Sequence, residues 1–214
     1  MKLRDSDMRV IDISQRIRPD MLVYPGDPQF YSSEASSFRR GDMCEVSELR
    51  IGSHCGTHID APLHMIPDGE PLESMPLDLF IGPCRVLTIH AGVITDKMLM
   101  EHQIQEGERI LLRTDASGRY QKEGRFNPTV LNERAAQYLL QQRIKLIGID
   151  APTIENMESS DGRIHKMILK AGIAILEGLC LEHAVQERYI LSALPLSLDG
   201  ENGSPCRAVL IEKE

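Results

Sequence analysis

Tryptophan is missing from this 214-residue chain, and only five tyrosines and four phenylalanines are present, so little aromatic surface exists for stacking a flat ligand. Basic residues are outnumbered, 24 Lys and Arg against 32 Asp and Glu. That balance and the lack of a basic tract argue against a nucleic-acid partner. No apolar run approaches the ~20 residues that span a bilayer, and the opening MKLRDSDMRV carries no apolar core of a secretory signal. Five cysteines form no CxxC pair, and an odd number fits reduced thiols better than a disulfide framework. These absences exclude a membrane span and a disulfide scaffold, and they place the expected protein in the cytoplasm.

What remains is an ordinary globular composition, 42% hydrophobic and 26% charged. A chain of this length fits one domain, residues 1–214, with a real core. Eight short stretches rich in Val, Ile and Leu read as strands: 9–14, 46–52, 84–90, 109–114, 145–150, 173–176, 189–195 and 206–212. A helix is expected over 128–142, with Asn127 and Pro128 as cap and first turn and Leu131, Ala135 and Leu139 on one face. A second runs from Asp161 to Gly172, and a weaker one from Thr95 to His102. Segments rich in Pro and Gly near 24–28, 61–76 and 199–205 read as functional loops. The fold class is mixed α/β.

Residues 53–64, SHCGTHIDAPLH, hold three of the seven histidines and an aspartate. His54, His58, Asp60 and His64 share parity, so an extended chain turns all four to one side and Cys55, Thr57 and Ile59 to the other. A straight strand would set His54 and His58 about 13 Å apart, too far to share an ion. Gly56 supplies a bend that closes the gap, and Pro62 turns the chain again before His64. A lone histidine is usually a surface or satisfied core residue. Four such groups packed together without a cation would compete for too few partners. Imidazole and carboxylate suit Zn²⁺, with Mn²⁺ or Fe²⁺ open, and an all-N/O set leaves room for water. Glu177 ends the apolar run GIAILEG, and His165 shares a helix side with Ile168 and Leu169. From spacing alone, a solvent-facing Glu177 and a partly exposed His165 stand level with ligand roles. Asp27 and Asp150 read as turn residues.

The run HxGTHxDxPxH resembles the signature of the cyclase family of metal-dependent hydrolases, which includes bacterial kynurenine formamidase and isatin hydrolase. VYPGDP (23–28), IGIDAPTIE (147–155) and ALPLSLDGENGSPCRAVL (193–210) extend the likeness. The resemblance implies a swivelling β/β/α architecture in a homodimer or larger assembly. It implies two zinc ions, one held by His54, His58 and Asp60, the other by Asp60, His165 and Glu177, with Asp60 bridging. It makes His64 a proton shuttle rather than a ligand. The implied reaction is hydrolysis of a small molecule at an amide bond, with N-formylkynurenine giving kynurenine and formate. Tyr24, where the tryptophan-pathway formamidases often carry Trp, becomes a candidate substrate contact. A hydrolase of another cyclic amide or lactone, and a metal-dependent binding protein without turnover, are the alternatives.

Overall fold

A computed structural model describes residues 8–116, 119–124 and 129–213. Thirteen strands and four helices alternate along them. The strands are β1 (Met8–Asp12), β2 (Tyr31–Ser36), β3 (Val46–Arg50), β4 (His58–Asp60), β5 (Ile81–Thr88), β6 (Val93–Ile94) and β7 (Arg109–Arg113). They continue as β8 (Val130–Leu131), β9 (Leu146–Ile149), β10 (Ala174–Glu177), β11 (Arg188–Ser192), β12 (Gly203–Pro205) and β13 (Val209–Lys213). The helices are α1 (Asp96–Met100), α2 (Arg119–Glu123), α3 (Glu133–Gln141) and α4 (Arg163–Lys170). Nine strands form one mixed sheet in the order β1-β13-β11-β5-β7-β9-β10-β4-β12, with β5, β7, β9 and β10 parallel. All eight expected strands are present. Among the described residues no helix is long and apolar enough to cross a membrane.

The fully buried runs Arg109–Leu112, Leu146–Ile149 and Ala174–Glu177 explain the parallel centre, because strands covered on both faces need apolar side chains both ways. One core lies between the sheet and the helices and gathers Leu99, Ala135, Leu139, Ile164, Ile168 and Leu169. The other, on the opposite face, gathers Ile13, Ile59, Phe80, Leu111, Leu176 and Leu210.

Three expectations change. The helix expected from 128 begins at Glu133: Val130 and Leu131 pair with β6 as a short strand, and the Asn132 side chain caps the helix by accepting the Ala135 N–H at 2.8 Å. Asn127 and Pro128 lie outside the described residues. α4 is shorter than expected, because Gly162 rather than Asp161 is its N-cap. The shared parity of the histidine stretch holds only for His58 and Asp60 on β4; His54 sits in the preceding turn and His64 ends the 3₁₀ turn Pro62–His64. Strand β2, which pairs with the expected β3, and the short β12 carried no clear alternation and were not expected as strands.

Register and a backbone contact set the working face. On β10, Glu177 lies directly opposite His58, and Ile175 opposite Asp60. Opposed residues of an antiparallel pair share a face, so His58, Asp60 and Glu177 project together toward the helices while Ile59 and Leu176 enter the other core. The GT of the motif closes the arrangement. Gly56 (φ +71°) makes the bend, and its carbonyl lies where a Cβ on Gly178 (φ +68°) would come within 2.3 Å. Thr57 Oγ1 donates to the Gly178 carbonyl at 2.6 Å and accepts the Gln15 N–H at 2.8 Å.

Gly178→Ala therefore carries both left-handed strain and a collision with backbone, whereas Gly172→Ala (φ +73°, no atom within 4 Å) carries strain alone. Thermal unfolding should show Gly178→Ala losing at least about 2 kcal/mol, or roughly 4–8 °C in Tm, and more than Gly172→Ala. Equal losses would dismiss the backbone approach.

Candidate metal centre

Five side chains from four parts of the chain meet on the helix-bearing face. β4 supplies His58 and Asp60, the turn before it His54, β10 Glu177, and α4, packed on that face through Ile164 and Ile168, brings His165. Ligand atoms of His54, His58 and Asp60 lie within 4.8 Å of one another, and so do those of Asp60, His165 and Glu177. Asp60 belongs to both groups. His54 Nδ1 is 2.9 Å and His58 Nε2 3.3 Å from Asp60 Oδ1, while His165 Nε2 is 3.7 Å from Asp60 Oδ2 and 3.1 Å from Glu177 Oε1. The structure thus joins His165 and Glu177 to the motif and removes the surface readings open to each; both are buried.

Each of the three histidines has its second nitrogen tied to an acceptor. His58 Nδ1 donates to the Gly56 carbonyl at 3.0 Å, His165 Nδ1 to Glu155 Oε2 at 2.8 Å, and His54 Nε2 to Asn202 Oδ1 at 2.8 Å. Asn202 Oδ1 also accepts the Ser53 hydroxyl. Such ties fix the tautomer and aim the free nitrogen, the arrangement that metal-binding imidazoles need.

The electrostatics tell the same story. Burial works against charge on His58 and His165, yet the adjoining Asp60, Glu177 and Glu155 carboxylates outweigh it and raise the two to about 9 and about 10. Burial also opposes ionisation of Asp60, but His54 and His58 hold its carboxyl well below the usual range. Protons on imidazoles here supply positive charge that the carboxylates demand. They do not complete the site: Asp60 is 1% exposed and its Oδ2 has no hydrogen-bond partner among the described residues. A buried orphan oxygen facing oriented imidazoles fits a divalent cation, and the all-N/O donor set suits Zn²⁺ or Mn²⁺.

Above these groups lies a cavity of about 460 Å³. His64 lines it, its ring 3.8 Å from that of His54 and 6.1 Å from that of His165 by centroids. Burial lowers its pKa to about 4, reinforced by the neighbouring histidines against the pull of Asp60. His64 is therefore a neutral imidazole beside the cluster. Tyr24 and Asp27 line the cavity too, and Asp27 N–H closes the expected turn on the Tyr24 carbonyl at 2.9 Å. Asp150 accepts from the Thr114 N–H and hydroxyl, tying two strand-end loops together as a structural residue. His90 pairs with Asp115 at the surface, away from the cluster.

Two site residues were missed from the sequence. Glu155 Oε1 accepts the Ser159 hydroxyl and Ile164 N–H, and Oε2 the N–H and Nδ1–H of His165. These bonds outweigh burial and lower its pKa to about 2. It caps α4, because Gly162 has no side chain to offer, and it orients His165. Asn202 sits in a segment read only as loop. An acid shortly before a helix that carries a candidate ligand was the one available signal for Glu155.

The Cyclase family model matches residues 11–156 of this chain. This chain belongs to the Cyclase family. A kynurenine formamidase of Bacillus mycoides (strain KBAB4) is 36% identical over 203 residues, covering 94% of this chain and 96% of that protein. Another kynurenine formamidase, of Erythrobacter litoralis (strain HTCC2594), is 38% identical over 210 residues, 97% of this chain and 95% of that protein. A solved structure described as a potential metal-dependent hydrolase with cyclase activity is 33% identical, with a TM-score of 0.84 across 97% of this chain and 99% of that one. The cyclase-like resemblance of the motif therefore extends through the chain and its mixed α/β fold.

Replacing Glu155 by Gln, or Asn202 by Ala, should weaken metal binding by about 10–100-fold in a competitive chelator titration while the fold persists. Unchanged affinity in both variants would show that these ties do not serve a metal.

Proposed function

We propose that this Cyclase-family chain, read as one domain over residues 1–214, is a metal-dependent hydrolase of the arylformamidase type. It would convert N-formylkynurenine and water to kynurenine and formate. The observation that carries the proposal is the meeting of three oriented histidines at a buried Asp60, one oxygen of which has no hydrogen-bond partner among the described residues. Kinship to formamidases over nearly the full length of both chains supports the amide as the bond cleaved.

His54, His58 and Asp60 would hold one zinc ion and Asp60, His165 and Glu177 the other, Asp60 bridging, with Mn²⁺ an acceptable substitute. When bound, a divalent ion supplies Lewis acidity, polarising a carbonyl oxygen and acidifying water. The chain supplies the rest. Glu155, Asn202 and the Gly56 carbonyl hold the imidazoles in place, so no reorganisation is required during reaction. His64 takes the proton from the attacking water at a ring nitrogen and returns it to the departing aryl amine as the C–N bond breaks. Its neutral state suits the first half of that task. Its position, stacked on His54 and without a hydrogen bond from its ring among the described residues, leaves those nitrogens available. Tyr24 would flank the aryl group from the cavity wall. A shuttle poised beside the ligands favours turnover over passive binding.

We read the working unit as a cytoplasmic homodimer. All five cysteines are free, consistent with a reducing compartment. Among the described residues the β2–β3 hairpin pairs with no other strand, and it exposes Tyr31, Phe38 and Leu49, a surface that a second copy would cover.

Chelation should abolish hydrolysis of N-formylkynurenine, and Zn²⁺ or Mn²⁺ should restore it. His64→Ala should keep its metal by elemental analysis and lose about 10²–10⁴-fold in kcat, whereas Asp60→Ala should lose metal and turnover together. Full activity in metal-free protein would overturn the mechanism, and an unimpaired His64→Ala enzyme would remove the shuttle.

A further inference from the structure

The cavity over the metal residues is lined by more acid than base. Asp27, Glu155, Asp161 and Glu177 face it, and Lys166 is the one lysine or arginine among its described lining residues. Glu155 and Glu177 are engaged by His165, and Asp161 pairs with Arg163. Two charges remain. Among the described residues Asp27 has no side-chain hydrogen bond or ion pair, although it lines the wall beside Tyr24. Lys166 follows His165 on α4 and is half-buried; its Nζ donates to the backbone carbonyl of Asp161, and it makes no ion pair among the described residues.

A half-buried ammonium whose protein acceptor is a neutral carbonyl has no carboxylate opposite it and has two further N–H donors to offer. Partial removal from water weakens its hydration, so an anion arriving with the ligand is worth more here than at the open surface. The same reasoning gives Asp27 a preference for a cation. Two such groups of opposite sign bordering one cavity, neither paired with the other, suit a ligand that carries both charges. Successive residues on a helix lie about 100° apart around the axis, so Lys166 leaves the helix beside the His165 imidazole without sharing its direction. Its flexible four-carbon stem can place the ammonium above the cluster.

We propose that Lys166 and Asp27 receive the zwitterionic amino-acid head of the substrate, Lys166 taking the carboxylate and Asp27 the ammonium. This rests on the formamidase reading and adds to it the part of the substrate that lies away from the bond cleaved. An aryl formamide with an amino-acid side chain would place its formyl group among the histidines and its charged head on Lys166 and Asp27. Neutral cyclic amides and lactones carry nothing for these two groups, so they set specificity.

The test compares N-formylkynurenine with 2′-formamidoacetophenone, the same aryl formamide without the amino-acid head, on the zinc-loaded wild type and variants. A charge-assisted hydrogen bond lost from binding predicts that Lys166→Met lowers kcat/KM for N-formylkynurenine about 10–100-fold, mostly through KM. For 2′-formamidoacetophenone the same variant should stay within about twofold of wild type, and Lys166→Arg should retain most of the selectivity. Asp27→Asn should show the same selective rise in KM for the charged substrate. Equal losses on both substrates, or no loss on either, would overturn the inference while leaving the formamidase reading intact. Wild-type protein that cleaves neither compound would overturn that reading and this inference with it.

Discussion

A carboxylate sealed from water must find positive charge or hydrogen-bond donors, and Asp60 sits at the point of this fold where that demand is greatest. Its Oδ1 meets His54 and His58, and among the described residues its Oδ2 meets no donor at hydrogen-bond distance. Glu177 and Glu155 add further buried carboxylate on the same side. Leaving three such groups uncompensated would be far costlier than any single packing contact in the domain is favourable. The imidazoles around them, two driven toward their charged forms, are the protein's own answer. A bound dication is the stronger one, since it satisfies the orphan oxygen and frees the imidazoles of their protons at once.

That concentration of charge is stable only because the backbone around it is over-determined. Strand pairing fixes Glu177 across from His58, and the Gly56 carbonyl fills the space that a Cβ on Gly178 would need. Thr57 joins the two turns through its hydroxyl. On the far side of the sheet Ile59 and Leu176 lock the same strands into an apolar core. The order of residues in the motif thus has a division of labour: glycine for the bend, threonine for the tie, histidine and aspartate for the ion. The three segments read as loops all border the site, with Tyr24 and Asp27, then His64, then Asn202. Backbone without regular pairing has the freedom to aim such groups, while the sheet beneath keeps them in register.

Regular elements were legible where burial on both faces forced continuous apolar runs, as in 109–114, 145–150 and 173–176. Strand β2 was missed because it is mostly exposed and lacks apolar alternation. The start of α3 was misplaced for a different reason: Val130 and Leu131 suit a helix face, but pairing with β6 claims their backbone. Local pattern cannot weigh a helical hydrogen bond against one offered by a strand 37 residues earlier.

By itself the sequence determined the chemical character of this protein. An N/O donor set crowded into residues 53–64, with a glycine bend and a proline turn, admits few uses other than a divalent ion, and the β-strand period put His58 and Asp60 on one side. Only the tertiary structure decided that His165 and Glu177 join Asp60, that Glu155 and Asn202 aim the imidazoles, and that Lys166 and Asp27 border the cavity with no ion pair among the described residues. The reason is physical. Periodicity and capping act over a few residues, whereas His54 meets Asn202 across 148 residues of chain, and such a meeting exists only once the sheet order has been set.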